Sequence, residues 1–177
     1  MIRYSTFPRT KTPPEFTDKV VNIFKNHYSS ISTVDLEKGL TSDETLAMIS
    51  KDLLGIGFEV EMSKLRDDKI YRPVLFGENG VPIMKYEIDA YHNEWKCGIE
   101  VEAGRATMGN AIYRDIVQSL VMVNLDYLIL AVPISYKYNS NKNQTISKDY
   151  EKTVAIVDAI YSHNRLEMPY DLIVIGY

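Results

Sequence analysis

The sequence predicts an α/β fold in which helices flank a mixed central sheet, and three observations carry that prediction. Residues 82–91 and 95–103 read as two strands joined by a polar turn at about His92–Glu94, which makes an antiparallel hairpin. Residues 126–134, DYLILAVPI, form a nearly continuous apolar run, as in a strand buried on both faces. Helical periodicity on either side of that run, at 110–123 and 149–164, makes strand–helix–strand units.

The elements follow in order. Residues 1–13 read as an irregular arm that ends in Thr12-Pro13-Pro14, and proline suits a helix start. Phe16, Val20, Ile23, Phe24 and His27 recur at helical spacing, so 14–29 is a helix, and the serine-rich stretch 28–33 is a turn. A second helix opens at Ser42-Asp43-Glu44: Ser42 can cap, and the two acids favour the positive helix end. Leu46, Ile49, Leu53 and Leu54 give its apolar stripe, and Gly55-Ile56-Gly57 stops it. Residues 58–62 alternate as a strand, with Phe58, Val60 and Met62 on one face. The charged run 64–69 is a loop or solvated edge, or alternatively a DNA-backbone contact through Lys64, Arg66 and Lys69. Glu78-Asn79-Gly80 is a hairpin-type turn.

In the helix 110–123, Ile112, Ile116, Leu120 and Val123 form the core stripe, and Arg114 and Gln118 lie one turn apart on a more polar side. Residues 135–148 are polar and read as a mobile surface loop, with a DNA-contacting flap as the alternative. The helix 149–164 turns Val154, Val157, Ile160 and Tyr161 inward, and 172–177 is a final apolar strand. With no repeat or linker visible, 1–177 reads as a single domain. Its core spans about 42–134, preceded by an arm and helix (1–41) and followed by a loop, helix and strand (135–177).

Composition narrows the function. The 177 residues, 45% hydrophobic and 25% charged, are an ordinary globular balance. A net charge of −4 argues against a protein that coats nucleic acid by charge alone, and leaves room for local DNA binding. One cysteine, Cys97, excludes an internal disulfide framework and a cysteine-rich zinc site. No apolar run reaches membrane-spanning length and the N-terminus has no signal-peptide core, so a cytoplasmic location away from membranes is expected. His27, His92 and His163 are scattered, which disfavours histidine-based phosphoesterase sites.

The chemistry concentrates in IDAYHNEWKCGIEVEAG, residues 88–104. On a strand, Glu100 and Glu102 share a face and Val101 points the other way, into the core. The hairpin bend brings Asp89 beside them. Three clustered carboxylates repel, and burial disfavours their charged forms. A divalent cation, a basic neighbour or raised pKa values can offset that. Hard oxygen donors at this density suit Mg²⁺ or Mn²⁺, the layout of metal-assisted phosphodiester hydrolysis.

This order of elements resembles the restriction-endonuclease-like superfamily with its PD-(D/E)xK motif: a helix, a three-strand antiparallel meander, a helix and a further strand, here from about 42 to 134. Asp89 matches the first acid and Glu100 the second. The third position, normally lysine, is Glu102, which resembles an E-x-E subgroup of type II restriction endonucleases. Ile88 stands where the motif often has proline. Arg114-Asp115 is similar to an Arg-Asp pair of some such nucleases.

The resemblance implies a Mg²⁺-dependent (or Mn²⁺-dependent) DNA endonuclease acting as a homodimer. Asp89 and Glu100 would hold the metal with the Val101 carbonyl, and Glu102 would orient or deprotonate the attacking water. A glutamate from the first core helix often joins such sites, which nominates Glu44, a residue equally suited to its helix terminus. Asn110, Arg114, Gln118 and Arg105 are the expected DNA contacts, and Lys85, Lys96 and Arg105 are candidates for the displaced positive charge of the missing lysine. Base readout is expected from the arm 1–13 and the loop 135–148. The alternatives are a catalytically inactive DNA-binding or protein-interaction module on the same fold, and another metal-dependent phosphoesterase.

Overall fold

In the computed structural model the described residues are 1–177 apart from 37–38, 64, 105, 107–108 and 141–142. The candidate contacts Lys64 and Arg105 therefore lie outside the described residues. In chain order the elements are β1 (Arg3–Phe7), α1 (Phe16–Asn26), α2 (Tyr28–Ile31), α3 (Ser42–Gly55), β2 (Glu59–Val60), β3 (Ile70–Phe76), β4 (Pro82–Ile88), β5 (Ala90–His92) and β6 (Cys97–Val101), followed by α4 (Ala111–Ser119), β7 (Tyr127–Val132), β8 (Tyr136–Ser140), β9 (Asn143–Ser147), α5 (Asp149–Ser162) and β10 (Asp171–Gly176).

Six strands form the central sheet in the order β1-β10-β7-β6-β5-β2. β6, β7 and β10 are parallel neighbours, because each connection between them carries a helix, α4 and then α5. The remaining pairs are antiparallel. Strand parity divides the core into two layers. Ile99, Val101, Ile129, Ala131, Ile173 and Ile175 pack with Val20, Phe24, Ile49 and Leu53 of α1 and α3. Leu128, Leu130, Val132, Leu172 and Val174 pack with Ile112, Ile116 and Val157 of α4 and α5. The continuous apolar run of β7 is thus buried on both faces. Among the described residues, no helix is long and apolar enough to cross a membrane.

Several expectations are corrected. The arm contains β1, paired antiparallel with β10, and its sequence RYSTF hides this because an edge strand has only one neighbour. The loop 135–148 contains the β8–β9 hairpin, an antiparallel ribbon that pairs Tyr136 with Ser147 and Tyr138 with Thr145. Lys137 ties it to the body by donating to the Val34 and Leu36 carbonyls at 3.1 and 2.7 Å. Residues 28–33, expected as a turn, include the one-turn helix α2. The cap of α3 is Thr41 rather than Ser42: Thr41 and Glu44 form a reciprocal capping box. α3 ends at Gly55, and Gly57 takes φ +100°, which favours glycine. Met62 is exposed, because β2 stops at Val60.

The expected strand 82–91 is two strands with a bend at Asp89. β4 belongs to a separate two-stranded ribbon with β3, a strand absent from the sequence reading, and β5 belongs to the central sheet. Asp89 is the joint between them. On the next strand, a Cβ on Gly98 would sit 2.2 Å from Ile88 Cδ1 and 2.9 Å from Leu125 Cδ1, so only glycine lets Ile88 close over β6 beside Asp89. Gly98→Ala is therefore expected to lower the unfolding free energy by about 1–3 kcal/mol in chemical denaturation. Adding Ile88→Val, which removes the clashing methyl, should recover part of that loss; an unchanged midpoint in the single variant would contradict this packing.

Candidate active site

The β5–β6 register pairs Ala90 with Ile99, so the next step along the hairpin sets Asp89 beside Glu100. Val101 is 3% exposed in the layer under α1 and α3, which turns Glu100 and Glu102 to the opposite side, toward α4. The Val101 amide donates to Asp89 Oδ2 at 2.7 Å, tying the bend to the acidic strand. The backbone of Glu102 is held at both ends: its N–H donates to the Ala131 carbonyl at 2.8 Å, and Tyr177 Oη donates to its carbonyl at 2.7 Å.

α4 supplies the other wall. Arg114 Nε donates to Asp115 Oδ1 at 3.0 Å, with Nη2 in ion-pair contact with the same oxygen at 2.9 Å, and Nη2 donates to Glu102 Oε1 at 3.3 Å. The Asp115 side chain is 2% exposed, and its Oδ2 has no hydrogen-bond partner among the described residues. An open cleft of about 560 Å³ is lined by Asp89, Glu100, Arg114, Asp115 and Gln118, with Asp43, Glu61, Lys69 and Lys85 opposite. Glu102 borders an adjoining hollow with Tyr136 and Lys137 and meets the cleft through Arg114.

The carboxylates are crowded and poorly compensated. Burial, opposed by the Val101 amide, raises the Asp89 pKa from 3.8 to about 6, with Glu61, Asp115 and Asp43 adding repulsion. Burial and then Asp89 push Glu100 well above the ordinary carboxylate range. Burial and then Asp115 raise Glu102 from 4.5 to about 8, with Arg114 pulling the other way. Asp115 is itself raised by burial against the pull of Arg114. Three of the four acids, Asp115, Glu102 and Glu100, thus share one guanidinium.

The donor chemistry fits a hard divalent cation. Asp89, Glu100 and the Val101 carbonyl offer oxygen alone, while the nearby softer donors turn away. His92 is buried against Trp95, with ring centroids 3.8 Å apart, and Cys97 faces the opposite layer. Among the described residues, no three His, Cys, Asp or Glu side chains stand ready to hold a metal by themselves. Mg²⁺ characteristically takes one or two carboxylates and completes its shell with water and phosphate, so the pair Asp89 and Glu100 meets its requirement.

Of the other candidates, Arg114 and Gln118 line the cleft. Asn110 is the N-cap of α4, at φ 59°, and is exposed away from it. Glu44 is engaged in the capping box with Thr41, and the acid of that turn on the cleft is Asp43. Lys96 sits in the hairpin turn, 3.1 Å from Asp126. Lys69 is held by Glu61 at 3.1 Å and Glu87 at 2.8 Å. Asp43, Glu61 and Asp115 were not foreseen in the cleft; the Arg-Asp pair on α4 was the available signal for Asp115.

Comparisons with known proteins agree with this architecture. The family described as "Putative halobacteria restriction endonuclease" matches residues 4–177. The crystal structure of restriction endonuclease BglII complexed with a DNA 16-mer is similar in fold, with a TM-score of 0.53 and 9% identity over 99% of this chain and 75% of that one. No curated protein matches the sequence. A sheet with parallel β6, β7 and β10, helices on both faces and a family match over nearly the whole length lead to one assignment: the chain has the restriction-endonuclease-like fold and belongs to this halobacterial restriction-endonuclease family.

Proposed function

We propose that this protein is a Mg²⁺-dependent DNA endonuclease of restriction type, cutting duplex DNA as a homodimer with one site per strand. The observation that carries the reading is the joining of Asp89 to the Glu100–Val101–Glu102 strand through the Val101 amide, at the floor of a cleft walled by α4. The family and the fold support a nuclease.

Asp89, Glu100 and the Val101 carbonyl would hold Mg²⁺ or Mn²⁺, which supplies Lewis-acid charge at the phosphate and lowers the pKa of water. Glu102 would orient the attacking water and take its proton in the ionised form, which a bound cation favours against the burial that raises its pKa to about 8 in the metal-free chain. The water oxygen forms the new P–O bond, the bond to the 3′ oxygen breaks, and solvent protonates the leaving oxygen. Gln118 and Arg114, one turn apart on α4, face the phosphate backbone along the cleft. The competing reading, a binding module without catalysis, draws on the replacement of the motif lysine by Glu102.

Supercoiled plasmid incubated with Mg²⁺ is expected to be nicked and linearised by the wild type. Glu100→Gln should cut at least about 100-fold more slowly, and EDTA should stop both. Equal rates would remove Glu100 from the site; inertness of the wild type on varied DNA would favour the binding module.

The cluster also sets a pH dependence. Carboxyls whose folded pKa is raised bind more protons in the native state, so stability falls as pH rises. For Asp89 the loss runs from 3.8 to about 6, and for Glu102 from 4.5 to about 8. At roughly 1.4 kcal/mol per pH unit, Asp89 alone accounts for about 3 kcal/mol. The metal-free melting temperature should fall between pH 5 and pH 8, and Asp89→Asn should flatten that fall by several degrees. Millimolar Mg²⁺ should stabilise the wild type at pH 8 and much less at pH 5, where protons compete. A profile unchanged by Asp89→Asn would refute the assignment.

A further inference from the structure

Cleavage of a phosphodiester places additional negative charge on the phosphate in a site that already holds Asp89, Glu100, Glu102 and Asp115. A cation on the protein, besides any metal, would offset that charge at the phosphate. Among the described residues, three cations line the cleft: Lys69, Lys85 and Arg114. Lys69 is spent on Glu61 and Glu87. Lys85 stands on the exposed face of β4, across the cleft from the acids of β6.

Arg114 is different. Its Nε and Nη2 edge is fixed by the buried Asp115, and Nη2 touches Glu102, the residue at the motif's lysine position. Nη1 makes no hydrogen bond among the described residues, although the side chain is 61% exposed on the cleft. A guanidinium held at Nε and Nη2 has its plane fixed, and it presents the N–H groups of Nη1 to the cleft, where they can donate to a phosphate oxygen.

We propose that Arg114 is a catalytic residue that replaces the missing lysine: its free Nη1 donates to a non-bridging oxygen of the scissile phosphate, while its Nη2 holds Glu102 toward the attacking water. Asp115 is its positioning residue, buried beneath it with one oxygen given to the guanidinium. This rests on the nuclease reading above and makes Arg114 part of the reaction rather than one clamp among several on the backbone.

The test compares wild type, R114M and R114K in single-turnover cleavage with Mg²⁺, and in DNA binding by fluorescence anisotropy in EDTA across a salt series. R114M is expected to cut about 100-fold or more slowly than wild type, with R114K recovering part of the rate. Added guanidinium should accelerate R114M and leave wild type unchanged. Metal-free affinity should fall less than about tenfold, and the slope of log affinity against log salt should lose about 0.9, one phosphate contact. Where R114M does not fold because it strands the buried Asp115, R114M/D115N removes both charges and carries the same expectation. R114M cutting within about threefold of wild type, against the loss expected of an electrostatic stabiliser, overturns this proposal and leaves the nuclease standing. A binding loss as large as the rate loss also overturns it, since Arg114 would then be a backbone clamp. A wild type inert with every DNA and metal overturns the nuclease reading and this proposal together.

Discussion

One hydrogen bond organises the site: the Val101 amide donating to Asp89 Oδ2 at 2.7 Å. The chain leaves the β3–β4 ribbon at Asp89 and enters the central sheet one residue later, so this contact sits where two sheets meet. It sets the first acid against the strand that carries the other two. Everything around it serves that placement. Ile88 is buried over Gly98, which has no side chain to oppose it. Ala90 begins the register that leaves Asp89 beside Glu100. The Glu61 amide donates to the Asp89 carbonyl at 2.8 Å, closing the other edge.

The site is built against stability. Asp89, Glu100, Glu102 and Asp115 are all pushed toward their protonated forms by burial, and Arg114 opposes this for the last three. Without a metal, burial favours protons on such a cluster. Perturbed carboxylates concentrated in one cleft are a signature of a working site more than of a structural one. The buried Asp115 is the clearest example, since among the described residues its ion-pair partner is Arg114, which faces the cleft.

Much of this was legible in the sequence, for identifiable reasons. The alternation of CGIEVEA set Val101 inward and Glu100 and Glu102 together, because strand parity depends on nothing distant. The apolar run of β7 and the helical stripes around it were equally local signals. What the sequence concealed depends on partners remote in the chain. β1 is visible only through β10, and β8 only through β9. Glu44 was nominated from its helix alone; it turns back onto Thr41 in the capping box, and Asp43, about 100° around the helix, lines the cleft instead. For the missing lysine the sequence offered Lys85, Lys96 and Arg105, close to the acids along the chain, whereas the cation that touches Glu102 in space is Arg114 on α4.

We propose that Asp89, Glu100 and the Val101 carbonyl are the oxygen donors of a divalent cation, and an anomalous difference map from crystals soaked in Mn²⁺ tests this without recourse to activity. One dominant peak is expected, bordered by those three groups on the α4 side of β6 and absent in Asp89→Asn. A dominant peak elsewhere, or none at millimolar Mn²⁺ and pH 8, would contradict it.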